Sequence, residues 1–141
     1  IGKIGIPDSV LKKSGKLTEE EWVQMRRHPE YGASILSGSD VPVIRLASEI
    51  ALSHHEKYDG SGYPTGLSGK DIPLSARIVS LADYFDALTM DRVYRKAFPD
   101  KKVFKMIREN SGVHFDPEVV DAFFRVVDEI IAERERINNK A

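Results

Sequence analysis

Apolar residues in this chain recur three and four positions apart between prolines, and nowhere do they alternate with polar residues over a useful length. That period is the helical one and leaves no material for a sheet, so the sequence predicts an all-α helical bundle. Thr18 and Glu21 form a T-x-x-E capping box ahead of Trp22 and Met25, which starts a helix at Thr18. It should end near His28, because Pro29 disfavours helical backbone in the residue before it. A second short helix accepts Pro29 in its first turn and runs to about Ser37. Pro42 opens the next, whose stripe of Val43, Ala47, Ile50 and Ala51 is continued by His54. After Pro73 a long helix extends from Leu74 to about Met90. Leu74, Ile78, Leu81, Phe85 and Leu88 share one side of it, and Ala76, Val79, Asp83 and Ala87 lie on the other. Being apolar on two sides, it belongs in the middle of the bundle. Asp100 is expected to cap a helix through Val103, Phe104 and Ile107, and Asp116 with Pro117 to start another that bears Val120, Phe123, Phe124, Val127 and Ile131. From Glu133 the sequence becomes charged, so residues 133–141 should leave the domain and fray.

The stretch from Ser53 to Leu67, SHHEKYDGSGYPTGL, breaks the helical pattern. Neutral imidazole is the commonest protein ligand for first-row transition metals, and two successive histidines at a helix end point about 100° apart, so His54 and His55 can face one centre. A histidine on an apolar face is commonly a hydrogen-bonded core residue; two of them before a glycine-rich loop weaken that explanation. Gly60, Gly62 and Gly66 allow positive φ and close backbone approach, Pro64 stiffens the loop, and Tyr63 is expected exposed at its tip. Asp83, on a face of small residues, should project into the interior, where a carboxylate needs a cation, a salt bridge or several donors. Arg92, Arg95 and Lys96 gather beside Tyr94. They make either an anion patch with a stacking face or a solvated basic turn after a helix.

At 141 residues the chain has room for one domain with a core, and a formal charge of −1 gives no long basic surface for a nucleic-acid polymer. Without cysteine, disulfides and thiolate metal sites are excluded. No apolar run approaches the roughly 20 residues that span a bilayer, and no signal peptide opens the chain. A cytoplasmic protein is expected, with a membrane anchor further upstream compatible with the same text.

HHEKYDGSGYP resembles the signature of the HD-GYP family, bacterial metal-dependent phosphodiesterases that open cyclic di-GMP. The flanking segments IGKIGIPD, LTEEEW, RRHPEYG, ARIVSLADYFDALT, DRVYRKA and HFDPEVV agree with it over residues 1 to about 125. The resemblance implies an HD-domain-like bundle. It also implies that the His and Asp naming the family directly precede Ile1, so that residues 1–141 form the C-terminal major part of one such domain. By the same resemblance His28, His54, His55 and Asp83 hold two or three divalent metals. Nitrogen and oxygen ligands fit Fe or Mn, with Ni, Co or Zn as alternatives, better than Mg or Ca. Lys3 and Asp83 are the implied catalytic residues and Arg92, Tyr94 and Arg95 the substrate-binding ones; Asp59, Gly60, Gly62, Tyr63 and Pro64 form the signature loop. Asp86 is read as a hydrogen-bonding support for a ligand histidine. The implied reaction is hydrolysis of cyclic di-GMP to pGpG or GMP, with the chain by itself expected to bind metal weakly and turn over little. The alternatives are another cyclic dinucleotide, such as a cyclic GMP-AMP, or a catalytically incomplete regulatory module that docks a GGDEF-domain partner. A homodimer is compatible with either.

Overall fold

The computed structural model describes residues 1–91 and 96–138. A 3₁₀ turn at Gly2–Gly5 leads into α1 (Asp8–Leu11), α2 (Glu19–Met25), α3 (His28–Leu36) and α4 (Pro42–Ser53). A long loop with a 3₁₀ turn at Gly69–Asp71 precedes α5 (Leu74–Thr89), followed by α6 (Asp100–Glu109), α7 (Pro117–Arg125) and α8 (Val127–Asn138). Among the described residues the only β feature is an isolated bridge between Ser111 and Phe115. The expected all-α architecture is what the chain adopts.

Local signals set most boundaries. Thr18 accepts the Glu21 amide while Glu21 reaches back to the Thr18 amide, completing the capping box. Pro29, Pro42 and Pro117 occupy first-turn positions, where the amide they lack has no intrahelical partner anyway. Asp116 caps α7 through the Glu118 amide at 2.8 Å and also accepts from the guanidinium of Arg77.

The main core packs α5 against α6 and α7, with Leu81, Phe85, Val103, Ile107, Phe115 and Phe123 at its centre. A second unit joins α3 to α4 and to the opening 3₁₀ turn. The turn lies so close that a Cβ on Gly2 would sit 1.8 Å from the His28 carbonyl oxygen, so only glycine permits the approach.

Several expectations need correcting. The stripe proposed for α4 is incomplete: Val43 is exposed, and Ser48 turns instead to α3, donating to the Ala33 carbonyl at 3.1 Å. The long helix α5 does pack on α4, α6 and α7, but its first apolar positions are not covered, since Leu74 and Ile78 are 55% and 49% exposed. Asp100 is the first residue of α6 and caps nothing; its carboxylate instead takes both terminal nitrogens of Arg134 at 2.9 and 2.7 Å. That pair is one reason the segment after Glu133 does not fray at once, for α8 stays helical to Asn138. Nor is α8 a continuation of α7, because the chain breaks at Val126, with φ −120° and ψ 16°.

Candidate metal centre

The three histidines proposed from sequence meet. His28 starts α3 and is 6% exposed, while His54 and His55 follow the last turn of α4. One ring nitrogen from each lies within 4.8 Å of the other two. The close packing of α3 on α4 creates this convergence.

Backbone carbonyls fix which nitrogens are available. The His28 Nδ1 faces the Met25 carbonyl at 2.8 Å, and the His54 Nδ1 faces those of Ile50 and Ala51, each at 3.0 Å. A carbonyl can only accept, so both Nδ1 atoms carry the proton and both Nε2 atoms keep a lone pair. Such an N–H···O=C bond is the usual support of a metal-ligating histidine. His55 Nε2 stands 3.1 Å from His28 Nε2. Two lone pairs at that distance repel, so a proton on His55 or a shared cation must lie between them. Burial, then the charges of His54, His28 and Lys3, push His55 down to about 3. Burial likewise lowers His28, against the bond to Met25. Both rings are therefore neutral near pH 7, the form that ligates. Imidazoles that are buried or half-buried and bring their nitrogens together in this way fit a transition metal.

The glycine loop folds onto this cluster. Tyr63 is half-buried, not exposed at a tip: its ring stacks on His55 with centroids 4.9 Å apart and planes inclined by 24°. Its amide also donates to the His55 carbonyl at 3.2 Å. Burial raises the Tyr63 hydroxyl pKa, and Asp83 raises it further against the lowering effect of Arg26. Asp59 holds the turn by accepting the amide and hydroxyl of Ser61. Gly60 and Gly66 take positive φ as expected. Gly62 is required for another reason, because a Cβ there would lie 2.3 Å from the Lys57 nitrogen. Pro64 follows Tyr63 through a cis peptide bond.

Sequence reasoning gave no role to Glu56. It is 2% exposed, and its carboxylate accepts from the Thr65 amide at 2.8 Å, the Gly66 amide at 3.2 and 3.0 Å, and the Leu67 amide at 3.1 Å. One buried anion gathers three successive amides and so sets the return of the loop that lays Tyr63 on His55. A glutamate directly after two candidate ligands and before a glycine loop was the available signal.

Asp83 stands apart. It is exposed and does not join the histidine cluster, which corrects its expected burial. The small-residue face of α5 is real, for Ala76 and Ser80 are buried, and Ser75 donates to Glu49 of α4 at 2.6 Å. Asp83, further along the same helix, is near enough to Tyr63 for its charge to act on the hydroxyl. Asp86 is also exposed and lines a groove between α5 and α8. Lys3 is exposed on the opening turn, near enough for its charge to depress His28 and His55. His114 stacks on Phe115 and is lowered chiefly by burial. Arg92, Tyr94 and Arg95 lie outside the described residues.

A family profile described as an HD domain matches residues 1–119. The chain belongs to the HD-domain family. Family members are metal-dependent, which accords with the three converging imidazoles. This HD domain is 50% identical over 137 residues to a cyclic di-GMP phosphodiesterase of Vibrio cholerae, covering 94% of the chain and 28% of the relative. It is 53% identical over 125 residues to a cyclic di-GMP phosphodiesterase response regulator of Xanthomonas campestris, covering 89% and 33%. It is 46% identical over 134 residues to a 3'3'-cGAMP-specific phosphodiesterase of Vibrio cholerae, covering 95% and 26%. The chain thus spans about a third or less of the length of these relatives. A crystal structure of a cyclic GMP-AMP-specific phosphodiesterase from Vibrio cholerae shares the fold, with TM-score 0.56 and 22% identity over 91% of this chain and 33% of that one. No helix among the described residues is long and apolar enough to cross a membrane.

Proposed function

We propose that this HD domain serves a metal-dependent phosphodiesterase that hydrolyses cyclic di-GMP to pGpG or GMP, in a cytoplasmic setting. The observation that carries the reading is the convergence of three imidazoles, two of them held by backbone carbonyls, beneath a loop that stacks Tyr63 on the third. Divalent transition metals, when bound, supply Lewis acidity toward phosphodiester oxygens and water of lowered pKa. His28, His54 and His55 would hold them, and Asp83 would add an oxygen ligand. Two or three ions of Fe or Mn suit this donor set, with Ni, Co or Zn as alternatives. The ammonium of Lys3 attracts the phosphate or steadies the leaving oxygen. Arg92, Arg95 and Tyr94 are assigned the second phosphate and the sugar, since guanidinium binds phosphate as a planar fork.

A cyclic GMP-AMP is the second substrate reading, favoured by the 46% identity to a relative named for that specificity. Docking of a GGDEF-domain partner through Tyr63 is less favoured, because Tyr63 is half-buried against His55 and does not project from a loop tip. The test is turnover of cyclic di-GMP and 3'3'-cGAMP by the full-length protein loaded separately with Fe and Mn, beside Asp83→Ala. Hydrolysis in at least one metal form, reduced by the substitution, is expected. No hydrolysis of either dinucleotide in any metal form overturns the reading.

A further inference from the structure

Next to the histidines runs a line of planar groups that the metal chemistry leaves unused. Tyr63, stacked on His55, has the Arg26 guanidinium carbon 5.5 Å from its ring centroid on the side toward α2. The same carbon is 6.0 Å from the Trp22 ring, one helical turn earlier. Arg26 is exposed and Trp22 is 43% exposed, so both present surface to solvent. A Trp–Arg pair four residues apart on a helix is by itself an ordinary solvated contact. Here, however, Tyr63 ties the pair to the histidine cluster. The acids of α2 do not neutralise Arg26 either: Glu20 accepts from the Thr18 hydroxyl at 2.7 Å and Glu21 from Lys13 at 2.6 Å. Among the described residues no carboxylate forms an ion pair with Arg26.

We propose that Trp22, Arg26 and Tyr63 form a stacking rim that receives a purine base of the nucleotide whose phosphate lies at the histidine cluster. The inference rests on the phosphodiesterase reading and adds to it a contact for the base. A nucleobase offers a flat π-face to an aromatic ring or a guanidinium plane, and guanine further offers O6 and N7 to the guanidinium fork. A phosphate alone would need no exposed indole. Arg26 approaches both the Trp22 and the Tyr63 rings, and Tyr63 in turn stacks on His55, so the base contacts adjoin the histidine cluster through Tyr63.

Trp22 is the only tryptophan in the chain, so its emission reports on the rim without a label. The experiment titrates the zinc-loaded protein with cyclic di-GMP, GMP and ribose 5-phosphate, following Trp22 emission alongside equilibrium dialysis, and repeats this for Arg26→Ala, Arg26→Lys and Trp22→Ala. The two purine ligands should change the emission saturably, whereas ribose 5-phosphate should bind without changing it. Arg26→Ala and Trp22→Ala should each weaken cyclic di-GMP by about 5-fold or more, the range of a lost base stack, and leave ribose 5-phosphate unchanged. Arg26→Lys keeps the charge and loses the plane, so it should behave as Arg26→Ala does. Wild-type binding of cyclic di-GMP with silent Trp22 and unaffected variants overturns the rim and leaves the phosphodiesterase reading standing. Full rescue by Arg26→Lys overturns stacking in favour of simple charge attraction. Failure of the wild type to bind either purine ligand overturns the rim and the phosphodiesterase reading together.

Discussion

Replacing Glu56 by Gln tests whether one buried anion organises the signature loop. The glutamine fills the same space but keeps a single oxygen, and it turns an NH₂ donor toward amides that already donate. With the oxygen left on Thr65, the Gly66 amide keeps only its longer contact at 3.2 Å and the Leu67 amide loses its acceptor. A hydrogen bond to a charged group contributes about 1.5–3 kcal/mol, and a buried amide left unpaired costs about 1–3 kcal/mol, so the change should cost roughly 2–4 kcal/mol. For a chain of this length that lowers the melting temperature by about 6–15 °C. Calorimetry measures the total, and amide hydrogen exchange locates it at Thr65, Gly66 and Leu67. Because the loop also lays Tyr63 on His55, zinc affinity should fall in the same variant. A melting temperature within about 2 °C of wild type, with those three amides equally protected, would refute the reasoning.

The pH dependence follows from the depressed histidines. His55 is held near 3 and His28 and His114 are also lowered, so the unfolded chain binds more protons than the folded one below its own histidine pKa. Stability of the metal-free protein is therefore full above about pH 6.5 and falls as pH drops toward about 3. Glu21, Asp59 and Asp100 are lowered too, but carboxylates stay ionised in both states down to about pH 5, so a fall between pH 7 and 5 belongs to histidine. Equal urea midpoints at those two values would contradict this. Gly62→Ala forces a methyl against the Glu56 and Lys57 backbone and should cost about 1–3 kcal/mol by urea unfolding. Unchanged stability would show that the loop relaxes freely. Asp116→Ala strands the partly buried Arg77 and uncaps α7, an expected loss of about 3–5 kcal/mol, and a loss below about 1 kcal/mol would mean that the ion pair is replaceable by water.

Features encoded by neighbouring residues were legible. The Thr18–Glu21 box, the Asp116–Pro117 start and the first-turn prolines each act within a few positions, and the structure reproduces them. The imidazole pair His54 and His55 was legible by type, and His28 through the wording of RRHPEYG. Features that depend on distant partners were not. Asp100 reads as a cap locally but is captured by Arg134, 34 positions away. The exposure of Asp83 depends on what packs beside α5, which no pattern within α5 encodes. The break at Val126 has no Pro or Gly to announce it, and Glu56 finds its partners in a loop without periodicity.

X-ray absorption of the zinc-loaded protein tests the central claim most directly. Three imidazoles on one ion predict nitrogen scatterers at about 2.0–2.1 Å with outer-ring features, diminished in His55→Ala. A spectrum of oxygen neighbours alone, identical in the variant, would mean that His28, His54 and His55 meet for some reason other than metal.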